Sequence, residues 1–361
     1  MGNGQLEIKM AKKTDSFIPY APSWQNRFLQ AVDRLPFPNI VIFLGLFIGI
    51  AFLQHLIPWL EGLLPRGQVE WRQFYFLMPA LVTPFFFGNV LTYSEKALTK
   101  FRLALNVSTE EYAQLSYRFL NLPAATGWII TLGVALGIAL IYRTPFFQAS
   151  YPSYLLTGFS GFLIFFTSSV SLSIVFSFLV FVGRQALFVG QLYAQVRKIN
   201  LFNLGPLYAL SSLTSRVGTL FIIVGTVSFL SNSLLAEGNP QNAVNVFFGV
   251  INLGLALALF ILPLLGIHQR LVSKKEELLS ETGERVRAAF ARMNKEQASG
   301  KLKEIGNTRQ LIDAVIRERE YIQGVPTWPW NAATLRTFIT ALLVPLTVWS
   351  VQQLLLRIAV K

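Results

Sequence analysis

Seven apolar stretches, near residues 39–60, 73–93, 122–142, 157–183, 217–236, 244–267 and 337–356, alternate with polar and basic segments along the chain. None of the seven contains Asp, Glu, Lys or Arg. Each approaches the ~20 residues that an α-helix needs to cross a bilayer core. In that solvent an open chain can satisfy its backbone hydrogen bonds only by forming helices. The pattern therefore predicts an all-α, polytopic membrane bundle of about seven transmembrane helices. Composition agrees: 53% of residues are hydrophobic and 14% charged, against about 25% charged in soluble domains.

The polar segments set the orientation. With residues 1–38 inside, segments 1–38, 94–121, 184–216 and 268–336 hold 26 of the 31 Lys and Arg residues. Positive charge is retained on the cytoplasmic side, which places the N-terminus in the cytoplasm and the C-terminus outside a cell membrane. The net charge of +13 is thereby read as an orientation signal, not as a nucleic-acid surface. This is the reverse of a G-protein-coupled receptor. It is similar to the insect odorant and gustatory receptor channels in topology, without a shared motif. Residues 1–38 lack the short apolar core and small-residue cleavage site of a signal peptide, so the first span is expected to direct insertion.

Four regions follow. Residues 1–38 form a cytoplasmic tail, within which Trp24, Phe28, Leu29, Val32 and Leu35 line one side of an interfacial helix. Residues 39–267 hold spans one to six, with cytoplasmic helical loops at 94–121 and 184–216. In the first loop Ser108 and Glu111 have capping-box spacing, and in the second the helix of span four continues past Arg184. Residues 268–333 form a cytoplasmic helical hairpin and an aromatic linker. Its apolar stripes (Leu271, Leu278, Val286, Phe290, Met293; then Leu311, Ile312, Val315, Ile316, Ile322) are separated by Gly300 and Gly306-Asn307, so the second helix is expected from Thr308. Residues 334–361 hold span seven and a short outside tail. Trp24, Trp328 and Trp330 are expected as interfacial anchors. The WPW run at 328–330, followed by TLRTF, resembles sequences of uncharacterised prokaryotic membrane proteins.

Chemistry is sparse. There is no cysteine, and the two histidines, His55 and His268, fall at opposite faces of the predicted bundle. No HExxH, Walker loop or GxSxG elbow occurs, so no enzyme, metal or cofactor is expected, and no nucleic acid. A coupled pump usually carries an ionisable group at membrane depth, and the spans have none. What remains is neutral. Pro79, Pro84 and Asn89 make span two irregular; Ser169, Ser173 and Ser177 recur at i, i+4 and i+8 in span four; Asn252 lies mid-depth in span six and Pro345 in span seven. These are the candidate pore- or ligand-lining residues, although the serine spacing equally suits close helix packing. Three readings result. The first is a channel- or receptor-like homo-oligomer joined through its cytoplasmic helices. The second is a facilitator or permease for an uncharged or lipophilic substrate. The third is a scaffold that presents 268–324 to a cytosolic partner.

Overall fold

The computed structural model describes residues 19–144, 157–196, 199–235, 242–300 and 302–359. Among them the chain is helical, with one isolated bridge between Pro22 and Pro123 in place of any strand. The α-helices are α1 Trp24–Asp33, α2 Asn39–Leu60, α3 Trp71–Phe101, α4 Thr109–Leu120, α5 Ala124–Ile141, α6 Gly158–Gln195, α7 Gly205–Leu235, α8 Asn242–Ala298, α9 Leu302–Gly324 and α10 Ala332–Ala359. Residues 1–18 of the predicted tail lie outside the described residues.

The seven apolar stretches fall on α2, α3, α5, α6, α7, α8 and α10. Among the described residues, five helices are long and apolar enough to cross a membrane: α2, α5, α6, Gly205–Thr226 of α7 and Gly249–Ala298 of α8. Residues 332–348 of α10 are apolar but shorter. Burial ranks these helices. The apolar window of α7 is 61% buried, against 11% for α5, so α7 is central and α5 peripheral. α7 packs on α3, α8 and α10, while α6 packs on α3, α5 and α8. Phe87 of α3 sits between Phe178 and Phe181 of α6, with ring centroids 5.5 and 4.9 Å away, and Phe178 stacks on Phe221 of α7. On α5, Ile129, Leu132, Leu136 and Leu140 form an exposed apolar stripe, a surface that water penalises and lipid accepts. The molecule has the build of a membrane protein.

Two features differ from the sequence reading, at α3 and at the start of α9. α3 runs unbroken through Pro79 and Pro84, because a proline removes one helix hydrogen bond and an apolar surrounding makes unwinding further carbonyls more costly still. α8 is one helix through residues 267 and 268 and extends for 57 residues. The break after α8 is at Gly300, which has φ +69°, a left-handed conformation that glycine adopts without strain. Gly306-Asn307 lie inside α9, which starts at Leu302 and not at Thr308. A helical glycine costs about 1 kcal/mol, and packing of α9 on α8 offsets it. That packing includes Arg285–Glu318 at 3.0 Å and the Thr308 hydroxyl, which donates to Glu296 at 2.7 Å.

α1 is docked onto the bundle. Ser23 accepts from the Asn26 amide and caps α1, Trp24 Nε1 donates to Thr131 of α5 at 2.8 Å, and Asn26 Nδ2 donates to the Leu120 carbonyl at 3.1 Å. Gly127 is required here, since a Cβ would lie 2.7 Å from Ser23 Cβ. The capping box at α4 forms with both of its bonds, Glu111 N to Ser108 Oγ at 3.2 Å and Ser108 N to Glu111 Oε2 at 2.8 Å. The Ser108 amide, and after it the Ser108 hydroxyl, hold the Glu111 carboxyl below the usual carboxylate range.

Candidate functional site

Two adjoining features stand out between the middle of α3, the middle of α7 and the first turns of α10. The first is a groove of about 290 Å³ lined by Phe85, Phe86, Asn89 and Tyr93 of α3, Ser215, Arg216, Thr219 and Leu220 of α7, and Thr337 of α10. Helix periodicity explains the lining: residues 85, 89 and 93 repeat at four on α3, and 216, 219 and 220 at three and four on α7. α3 and α7 run in opposite directions here, so Tyr93 meets Arg216 at one end and Phe85, Phe86 and Leu220 gather toward the other. The Arg216 guanidinium lies 3.8 Å from the centroid of the Tyr93 ring, a cation–π contact that uses its flat face and leaves its N–H edge free for another group. The Thr219 hydroxyl is buried and has no hydrogen-bond partner. Ser215 donates to the Thr334 carbonyl of α10 at 3.3 Å.

The second feature is an aromatic column. His268 of α8 stacks on Trp328 at 4.0 Å and 10°, Trp328 on Trp330 at 4.4 Å and 7°, and Trp330 on Phe260 of α8 at 5.2 Å. Phe260 then meets Phe338 of α10 at 4.2 Å. The Thr327 carbonyl lies 3.1 Å from His268 Nδ1, which fixes the ring against the linker. The last ring enters because α7 carries glycine opposite it: a Cβ on Gly218 would stand 2.6 Å from Phe338 and 3.1 Å from the Ala256 carbonyl. Phe338 is therefore clamped between α7 and α8, and the next residue back, Thr337, lines the groove. Groove and column share α10.

Cations from α8 anchor the ends of neighbouring helices. Arg270 donates to the carbonyls of Tyr193 at 2.6 Å and of Val196, at the C-terminus of α6. Lys275 donates to the carbonyls of Gln323 at 2.6 Å and Val325 at 2.8 Å, at the C-terminus of α9. Positive charge suits the unpaired carbonyls and negative dipole end found there. At the far end of the bundle Glu61 accepts from Phe159 N at 3.0 Å and also from the amide and hydroxyl of Ser160, capping α6. The Ser160 hydroxyl, more than the two amides, holds the Glu61 carboxyl below its ordinary range.

The sequence-predicted residues are distributed as follows. Asn89 lines the groove, and its Nδ2 also donates to the Phe85 carbonyl at 2.8 Å. Pro84 is buried within α3, and Pro79 lies on the same helix. Ser169, Ser173 and Ser177 are all buried; Ser173 donates to the Val170 carbonyl at 2.8 Å, whereas the hydroxyls of Ser169 and Ser177 have no partner. Asn252 presses on Gly225 of α7, where a Cβ would come within 2.1 Å of its Oδ1. Pro345 is half-buried in α10, which continues through it. Among the described side chains of this set, only Asn89 lines the groove. Trp328 and Trp330 join the column, and Trp24 bonds α5. His55 is a satisfied buried side chain: Nδ1 lies 2.7 Å from the Ala51 carbonyl, and Nε2 accepts from the Glu70 amide at 3.2 Å. Arg216, Gly218, Thr219, Thr337 and Phe338 were missed as site residues. Their signal was the repeat of one polar face, 215-216-219, at the start of a span.

Comparison of the chain with protein-family models, with curated proteins and with solved structures gives no match. The functional reading rests on this geometry.

Proposed function

We propose that the chain is a seven-span, non-enzymatic membrane protein of the channel- or receptor-like class, with its N-terminus and a cytoplasmic α8–α9 hairpin inside and its C-terminus outside. In this reading it acts as an assembly of copies. The observation that carries the proposal is the aromatic column. It links the charged helices to α10 through a run of ring contacts, and α10 otherwise packs on α7. Ile339, Leu343, Leu346, Val351 and Leu354 of α10 are exposed, which leaves that face for lipid or for α10 of a neighbour. A helix clamped near its start and exposed at these positions on one face suits a movable wall. Movement of the charged helices would reach that wall without crossing the well-packed α3–α6–α7 core.

The permease alternative calls for Pro84, Asn89, Ser173 and Asn252 on one cavity. The groove holds Asn89 alone of the four, which favours the channel-like reading. Reconstitution of the full chain into liposomes tests it. Ion flux that Phe338→Ala or Trp330→Ala alters is the expected result. A strictly monomeric particle in nanodiscs, together with no flux of any ion, would overturn the proposal.

A further inference from the structure

The groove between α3, α7 and α10 is amphipathic along its length, and we infer that it is a binding site for an anionic glycerophospholipid. Its charged end is the exposed Arg216 guanidinium on Tyr93, and its apolar end is Phe85, Phe86 and Leu220. Tyr93 and Phe85 are eight residues apart, about 12 Å along a helix axis, which matches a headgroup followed by the first part of an acyl chain. The cavity of about 290 Å³ holds that part of a lipid and leaves the remainder in the bilayer.

Three observations select the ligand chemistry. No ion pair involves Arg216 among the described residues, and its ring contact occupies the face of the guanidinium, not the N–H fork that grips phosphate in two parallel bonds. One turn further in, the buried Thr219 hydroxyl has no partner, and Asn89, whose Nδ2 gives one hydrogen to the Phe85 carbonyl at 2.8 Å, keeps a second beside it; a glycerol–ester region offers the acceptors that these two donors need, and the Thr337 hydroxyl, which donates to the Ala333 carbonyl at 3.0 Å, can only accept. Beyond these the lining is phenylalanine and leucine. A small free anion would leave the apolar end empty, and a zwitterionic lipid brings an ammonium of its own that offsets the phosphate charge beside the cation. The inference rests on the placement of the chain in a bilayer and is independent of conduction.

The test is native mass spectrometry of the full-length protein, released from micelles doped with equal amounts of phosphatidylglycerol and phosphatidylcholine. The wild type should retain phosphatidylglycerol in preference. Arg216→Gln should lower that preference about tenfold, as loss of one charge-assisted contact implies, and Arg216→Lys, which keeps the charge and loses the fork and the stack, should fall between the two. Thr337→Trp, which crowds the groove and leaves the charge in place, should reduce retention of the lipid and serves if Arg216→Gln fails to fold. Arg309→Gln, on α9, should change nothing. Equal retention of the two lipids, an unaltered preference in Arg216→Gln, or displacement of the lipid by millimolar inorganic phosphate would overturn the inference. Flux measurements on the same variants report separately on the channel reading.

Discussion

Gly218→Ala isolates the contact on which α10 depends. The added methyl would stand 2.6 Å from Phe338 Cε2 and 3.1 Å from the Ala256 carbonyl, so one partner must retreat by close to 1 Å to restore ordinary van der Waals contact. The ring cannot simply rotate away, because it is 2% exposed and meets Phe260 at 4.2 Å. Overpacking of this kind costs about 1–3 kcal/mol. In a bilayer the displaced ring enters lipid, which is as apolar as the site it left, so the cost is one of packing and carries little hydrophobic contribution. Phe338→Leu shortens the opposing side chain and should cost about 1 kcal/mol by itself. Combined, the two should relieve one another: the double variant should be more stable than the sum of the singles by about 1 kcal/mol or more, as touching residues are when coupled. Reversible unfolding of all four proteins in mixed micelles gives the cycle. Additivity within ~0.5 kcal/mol would show that Phe338 is not seated against Gly218, and the column would lose its anchor.

Other expectations follow from contacts at the helix ends and in α6. The Glu61 pKa is depressed in the folded state, so its contribution is present above its unfolded value of about 4.5 and is lost as pH falls through the lower folded value; Glu61→Gln should flatten the acid limb of a melting-temperature profile, and parallel limbs in both proteins would count against the cap. Arg270→Gln removes donors to the end of α6 and should cost about 1.5–3 kcal/mol, with faster amide hydrogen exchange over residues 190–196; unchanged exchange there would refute the role. The Ser177 hydroxyl is buried without a partner, so Ser177→Ala should be neutral or mildly stabilising in thermal melts. A clear loss of stability would show that the hydroxyl has a partner after all.

What the chain makes legible is local. The absence of charge in seven stretches identifies apolar helices, five of them long and apolar enough among the described residues to cross a membrane, and Ser108 with Glu111 identifies a helix start, because each depends on neighbours in sequence. Proline and glycine mislead for the complementary reason. Pro79 and Pro84 look like breaks, and Gly306-Asn307 like a turn, until packing is counted; burial in the bundle or against α8 outweighs a cost of a few kcal/mol. The groove is illegible for another reason. Asn89, Arg216 and Thr337 lie on three helices far apart in the chain, and periodicity shows which residues share a face without showing which faces meet. Gly218 is the sharpest case: only the Phe338 ring opposite explains why that position lacks a side chain.

The length of α8 has a mechanical consequence. Fifty-seven residues make a rod of about 85 Å, nearly three times the ~30 Å of hydrocarbon that a membrane offers. Pro263 lies inside it, at a point where one missing hydrogen bond lowers the stiffness of the rod. Beyond that point some 35 residues, roughly 50 Å, extend toward Ala298 as the long arm of a lever, with α9 strapped along part of it. A bend of about 5° at Pro263 would sweep the tip through some 4–5 Å. The same bend would shift Phe260 and its ring contacts, on the short arm, by well under 1 Å. Gearing in that ratio lets a modest force at the distant tip become a small, forceful displacement beside α10.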